Sequence, residues 1–237
     1  MKFGVNIDHI ATLRNARMGH EPDVIKGMET AIKAGCDSIV CHLRIDRRHI
    51  TDEDVYKIRE KCSVPMNLEA SLEPEIIDIA LDIVPDIITL VPENRQEVTT
   101  EGGLDVFSKM NRLEQVIPKL RDKNVTVSLF VDPDKKILDA VKQSGAGSVE
   151  LHTGAYANNE DKQKELERII SAAEYAEKIG LFVAAGHGLN YENTGEIAGI
   201  KSIEELNIGH SIISKSIFTG LFSAIQEMKS IIDKSSK

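Results

Sequence analysis

The chain has 237 residues, 41% of them hydrophobic and 28% charged, with a formal net charge of −9. That charge argues against a nucleic-acid partner, which would call for a basic surface, yet leaves room for a local basic pocket that takes an anion. Three cysteines, Cys36, Cys41 and Cys62, are odd in number and lack metal-ligand spacing, so they read as small buried hydrophobes in a reducing compartment.

Phe3–Ile7 is a short apolar strand that ends among polar Asn6, Asp8 and His9, and Asp8 comes too early for a secretory signal. Pro22–Ala34 has helical periodicity (Val24, Ile25, Met28, Ile32), with Pro22 near its start and Gly35 past its end. Ser38–Leu43 is a second strand, followed closely by Arg44, Asp46, Arg47, Arg48 and His49. Thr51 caps a second helix that opens on Asp52, Glu53 and Asp54. Pro65–Ala70 is a third strand carrying Glu69, and Glu73–Val84 a helix. Ile87–Val91 is a fourth strand, and the polar loop Pro92–Gly103 after it has the length of a lid. Met110–Asp122 is helical, Thr126–Val131 a strand, Lys135–Ser144 helical, and Ser148–Thr153 a strand bearing Glu150 and His152. Glu160–Ile179 is a long helix stopped by Gly180. Leu181–Ala185 runs into Gly186-His187-Gly188, Leu206–Ile208 runs into Gly209-His210, and Ile213–Ile232 is the last helix. No apolar run reaches the ~18 residues of a membrane span. The expectation is a soluble cytoplasmic protein with no membrane partner.

Eight strands alternating with helices predict a single-domain α/β protein over 1–237, a (β/α)8 TIM barrel with extra short helices. A doubly wound open sheet is the competing architecture. Gly35-x-x-Ser38-Ile39-x-x-His42 and Gly145-x-x-Ser148-Val149-x-x-His152 echo each other four strands apart, as duplication of a half-barrel would place them.

Active sites of such barrels lie at the C-terminal strand ends. Five of the seven histidines, His9, His42, His152, His187 and His210, fall there, with Glu69 and Glu150. One such histidine is more simply a hydrogen-bonded structural residue; five together point to a site. A zinc centre would need three or four converging ligands, which His42, His187 and Glu69 could supply. Acid–base work by neutral imidazoles and a carboxylate fits the residues better. The turns Gly186-His187-Gly188 and Gly209-His210-Ser211 offer backbone N–H groups to a phosphate, the second at a helix start. Of the arginines after strands one and two, Arg44 is the candidate for gripping another phosphate, while Arg47-Arg48 could be an ion-paired surface.

Long stretches also resemble a known family. Asn6-Ile7-Asp8-His9-Ile10-Ala11-Thr12-Leu13-Arg14, His42-Leu43-Arg44, Asp46-Arg47-Arg48-His49-Ile50, Asn67-Leu68-Glu69, Val91-Pro92-Glu93 through Arg95-Gln96-Glu97-Val98-Thr99-Thr100-Glu101-Gly102-Gly103-Leu104-Asp105, His152-Thr153-Gly154, Ala185-Gly186-His187-Gly188-Leu189 and Glu205-Leu206-Asn207-Ile208-Gly209-His210 resemble the pyridoxine 5′-phosphate synthase family, in order from the first strand to the last helix. The resemblance implies a TIM barrel that condenses 1-deoxy-D-xylulose 5-phosphate with 3-amino-2-oxopropyl phosphate. The products would be pyridoxine 5′-phosphate, inorganic phosphate and water, made without metal or organic cofactor in an octamer built from dimers. It implies His42, Glu69 and His187 as acid–base groups. Asn6, Asp8, His9, Arg17, Arg44, His49, Thr99, Gly188, Gly209 and His210 would contact substrate, and Glu150 would lie near the reacting centre. Ile45 departs from the family, which would place an acid there, and so leaves Arg44 one carboxylate short. A phosphorylated-metabolite sensor, a metal-dependent hydrolase and a phosphosugar isomerase or aldolase are the alternatives; a Schiff-base aldolase would need a strand-end lysine, and no predicted strand ends in one.

Overall fold

A computed structural model describes residues 1–93, 102–159 and 161–236. Eight parallel strands, Lys2–Asn6 (β1), Ser38–Leu43 (β2), Met66–Ala70 (β3), Ile87–Leu90 (β4), Thr126–Val131 (β5), Ser148–His152 (β6), Phe182–Gly186 (β7) and Glu205–Ile208 (β8), close into one barrel in sequence order. The seam is β8 against β1, with Lys2 opposite Glu205 and Val5 opposite Ile208. The helices are Asp8–Ala16 (α1), Val24–Lys33 (α2), Asp52–Lys61 (α3), Pro74–Ile83 (α4), Val106–Arg121 (α5), Lys135–Gln143 (α6), Gly154–Asn158 (α7), Lys162–Lys178 (α8), Thr194–Ala198 (α9), His210–Thr219 (α10) and Leu221–Ser235 (α11). The expected (β/α)8 architecture is the one found. Among the described residues no helix is long and apolar enough to cross a membrane.

Local chemistry explains the punctuation. The Asp23 carboxylate accepts the N–H groups of Ile25 and Lys26 at the start of α2, and Thr51 with Asp54 forms a reciprocal capping box on α3. Gly35 and Gly145, the two glycines of the internal echo, both have left-handed φ (+95° and +89°) just past α2 and α6. Two elements differ from expectation. The segment after β1 is a helix rather than a loop, so Asp8 and His9 lie in its first turn. The last helix is two, because Gly220 (φ +81°) turns the chain between α10 and α11. The short α7 and α9 are extra helices of the kind expected, set in the connections after β6 and β7.

Alternation along the strands divides the barrel into two chemistries. Phe3, Val5, Ile39, Cys41, Met66, Leu68, Leu129, Val149, Leu151 and Leu206 belong to the apolar cluster packed under the helices. Most of their neighbours in sequence point inward and are polar, with Gly4, Val40 and Phe130 as exceptions. Ser38 donates to Glu205 (3.1 Å), Thr89 donates to Asn67 (2.9 Å) and Asn207 donates to Glu150 (2.7 Å) across the interior. A cavity of about 210 Å³ remains among Asn67, Thr89, Ser128, Ser148, Glu150 and Glu205. Barrel interiors of this fold are ordinarily filled by bulky branched side chains. Here the hydrophobic core is the layer between sheet and helices, and the barrel axis is a polar column that ends at the C-terminal mouth.

Candidate active site

Adjacent strands set the central pair. In the β2–β3 register His42 stands opposite Glu69, and the His42 Nδ1 to Glu69 Oε2 distance is 3.9 Å. Asp8, at the first turn of α1, reaches over to accept the backbone N–H of His42 (2.8 Å). Asn6 holds Asp8 from both sides: its side-chain amide donates to the carboxylate (2.8 Å), and its oxygen accepts the Asp8 N–H (2.9 Å). Glu150 enters from β6, and Gly186 on β7 gives it room: a Cβ there would run into the Glu150 carboxyl and lie 2.9 Å from the Asn207 carbonyl oxygen.

Burial governs the protonation of these groups. It pushes the Asp8 carboxyl up to about 7, against the lowering effect of the His42 N–H, Asn6 and Arg44. It pushes Glu150 to about 7, with Asn207 opposing, and Glu69 well above the usual carboxylate range, helped by the charges of Glu150 and Asp8. Burial also drives His42 well below the ordinary imidazole value, reinforced by His49 and Arg44. His49 falls to about 4 through burial and His9, and His187 to about 4 through burial and His152. The protein groups by themselves therefore favour neutral carboxyls beside neutral imidazoles, a poised site rather than a fixed ion pair.

The expected residues largely converge. His9 and His210, in the first turns of α1 and α10, meet edge to face at 5.0 Å, and His42 and His49 lie 5.9 Å apart. Gly209 precedes α10, where a Cβ would come within 2.8 Å of Asn6, and no side chain caps that helix. Its first N–H groups therefore stay open to an anion. His187 and Gly188 both have φ +78°, a left-handed turn after β7. Arg44 is buried between Asp46 (3.7 Å) and Glu93 (3.5 Å). Glu93, whose carboxylate also accepts the Ile45 N–H (2.8 Å), supplies the acid that Ile45 withholds. Sequence reading missed that role, because Glu93 lies 48 residues from Ile45.

Other candidates fall elsewhere. Arg14 grips Asp54 with two bonds (2.6 and 2.7 Å), tying α1 to α3. Arg47 pairs with Asp52 and Glu75, and Arg48 with Asp46, the ion-paired surface foreseen as one reading. Arg17 is exposed at the end of α1. Thr99 and residues 94–101 of the expected lid lie outside the described residues.

The suggested zinc trio of His42, His187 and Glu69 is not the one brought together. Among the described residues the potential metal ligands that approach within 4.8 Å of one another are Asp8, His42 and His49. They fit a metal poorly. His49 Nδ1 accepts the Ile50 N–H (2.9 Å), so the neutral ring carries its proton on Nε2, where a metal would have to bind. Both Asp8 oxygens already accept hydrogen bonds.

Comparison with known proteins gives the family. The family model described as pyridoxal phosphate biosynthesis protein PdxJ matches residues 3–234. The chain belongs to this family of biosynthetic enzymes. A protein from a Sulfurihydrogenibium species named pyridoxine 5′-phosphate synthase is 54% identical over 237 residues, covering 98% of each chain. Proteins of the same name from Coxiella burnetii (50% identical, 98% of each) and Idiomarina loihiensis (49%, 99% of this chain and 98% of that one) are similar throughout. Among solved structures, KGPDC from Streptococcus mutans has a TM-score of 0.69 at 13% identity, covering 99% of this chain and 98% of that one. D-psicose 3-epimerase from Clostridium cellulolyticum has a TM-score of 0.64 at 13% identity, over the full length of both. At such identities these structures share the barrel alone.

Proposed function

We propose that this enzyme condenses 3-amino-2-oxopropyl phosphate with 1-deoxy-D-xylulose 5-phosphate to give pyridoxine 5′-phosphate, inorganic phosphate and water, by general acid–base catalysis in the cytoplasm and with no metal or organic cofactor. The observation that carries this reading is the convergence of buried His42, Asp8 and Glu150 and half-buried Glu69 at one barrel mouth, beside two anion-accepting turns. Full-length likeness to proteins named for the product supports it.

The reaction needs an amine to attack a ketone, then repeated proton transfers through imine formation, dehydration, phosphate loss, ring closure and aromatisation. Groups that titrate near working pH, as burial makes Asp8 and Glu150 do at about 7, give or take a proton with little cost. In this proposal the substrates set the direction of transfer. An ammonium beside Glu69 favours its carboxylate, so Glu69 with His42 serves as base. A phosphate dianion near His187 favours the imidazolium, which then serves as acid. Asn6, Asp8, His9, His49 and Glu150 orient the reacting atoms. The Gly188 turn, with Gly209 and His210 at the start of α10, takes one phosphate; Arg44, Arg17 and Thr99 take the other. An octamer built from dimers belongs to the same proposal, and the exposed Ile217, Phe218 and Phe222 around Gly220 suit a face covered by assembly.

Chelator-treated protein incubated with both phosphorylated substrates should form pyridoxine 5′-phosphate with release of inorganic phosphate, followed by mass spectrometry and a phosphate assay. Turnover only on addition of a divalent ion would transfer the chemistry to a metal. Tight binding of either substrate with no product under any condition would leave a sensor.

A further inference from the structure

His187 is held in an unusual way. It takes a left-handed backbone conformation (φ +78°) without being glycine. Thr153, just past β6, secures that conformation: its hydroxyl donates to the His187 carbonyl oxygen (2.6 Å), and its backbone N–H donates to that of Gly186 (2.9 Å). The imidazole, by contrast, makes no hydrogen bond to any described residue. Both ring nitrogens are left for a ligand, so ring orientation must come from packing.

Two rings supply that packing. His152 meets His187 edge to face with centroids 5.1 Å apart, and Phe130 lies 5.1 Å from His152 and 6.3 Å from His187. Gly154 makes the approach possible, since a Cβ there would run into the His152 ring and stand 3.2 Å from Cδ2 of His187. His152 is itself fixed: Nδ1 lies 3.0 Å from the Asp132 carboxylate, and the side chain is 7% exposed. The Gly103 N–H, at the end of the long loop after β4, faces the Asp132 carboxylate. Behind it Arg168 of α8 donates to the Pro133 carbonyl oxygen (3.1 Å) and faces the carboxylate.

We propose that Asp132 and His152 are positioning residues for His187, a carboxylate–imidazole pair that fixes the direction in which the His187 ring presents its proton to substrate. Asp132 accepts the Nδ1–H of His152 and so prevents that ring from turning. The locked His152 then closes off the sideways swing of His187. Neither residue touches substrate in this account. His152 is the titratable group facing His187 among the described residues; Asp132 faces His152, and Arg168 faces Asp132. The pair thereby links the foot of the β4 loop, through Gly103, to the acid. This inference rests on the acid role given to His187 above.

Asp132→Asn keeps the shape but weakens the acceptor, and His152→Gln removes the ring contact. With wild-type protein shown to be active, each variant should lose on the order of 10- to 100-fold in kcat with little change in KM, as a misaimed acid would. Asp132→Glu should recover part of that loss. The limb of the kcat–pH profile that follows His187 should move, and the 15N imidazole signals of His187 should change chemical shift and titration midpoint in Asp132→Asn. Unchanged kcat, pH profile and His187 signals in folded Asp132→Asn would overturn the proposal. The NMR readout needs no turnover, so it separates this inference from the function assignment: an inactive wild type with perturbed His187 signals in the variant indicts only the reaction. A His152→Gln protein that fails to fold leaves the decision to Asp132→Asn and Asp132→Glu.

Discussion

Glu150→Gln should stabilise this protein at alkaline pH and slow its chemistry. Glu150 is buried on β6 and accepts one hydrogen bond, from Asn207 (2.7 Å), and burial raises it from 4.5 to about 7. A carboxyl whose folded-state value is raised binds its proton more tightly when folded. Its contribution to stability is therefore full below the unfolded value and is lost as pH rises through the folded one. Ionising Glu150 in place then costs about 3 kcal/mol by about pH 9, and under about 1 kcal/mol at about pH 5. Glutamine has the same shape, accepts the Asn207 hydrogen bond and cannot ionise. Thermal unfolding should thus show the variant melting roughly 6–12 °C above wild type near pH 9, with a much smaller gap near pH 5, at the usual ~2–4 °C per kcal/mol for a chain of this size. A gap of equal size at both pH values, or a variant less stable at pH 9, would show that Glu150 titrates normally and that the polar barrel axis carries no such strain.

Glu69→Gln should retain calorimetric binding of the phosphorylated substrates while kcat falls by roughly 10²- to 10⁴-fold, the range for a lost proton-transfer group. Near-normal turnover would remove Glu69 from the mechanism. Gly186→Ala, which drives a methyl into the Glu150 carboxyl, should cost about 1–3 kcal/mol in chemical denaturation and depress kcat more than an equally destabilising change in the helical layer. Arg14→Ala should lower stability by about 2 kcal/mol, because it strands the Asp54 carboxylate. It should also loosen the loop bearing His49, whose carbonyl oxygen Arg14 also binds (3.3 Å), seen as a raised KM.

Much was legible in the order of residues alone. Strand and helix periodicity, glycine stops and capping acids set the eight repeats, because these signals act over one turn or one strand. The place of the histidines just past the strands marked the mouth, since parallel strands in such a fold all end on one side. What the chain order could not carry was pairing over distance. Glu93 compensating for Ile45, Asp132 locking His152, and Asp54 claiming Arg14 each join residues 20 to 48 positions apart. The suggested metal trio was misjudged for the same reason: His187 lies across the barrel beside His152, while Asp8 and His49 are the groups folded against His42.

The alternation in Met66-Asn67-Leu68-Glu69-Ala70 or Ser148-Val149-Glu150-Leu151-His152 is fixed by the sequence, and with it the fact that such strands have one apolar and one polar face. Which face meets water is not. In a doubly wound open sheet helices would cover both faces; closure of β8 onto β1 turns the polar face inward instead. Inside, desolvation lifts the Asp8 and Glu150 carboxyls to about 7 and drives the His42, His49 and His187 imidazoles down, so that the rings stay neutral. The sequence determined the groups and their spacing, and the closed barrel determined their protonation, because only burial from every side removes the water that would have kept them ordinary.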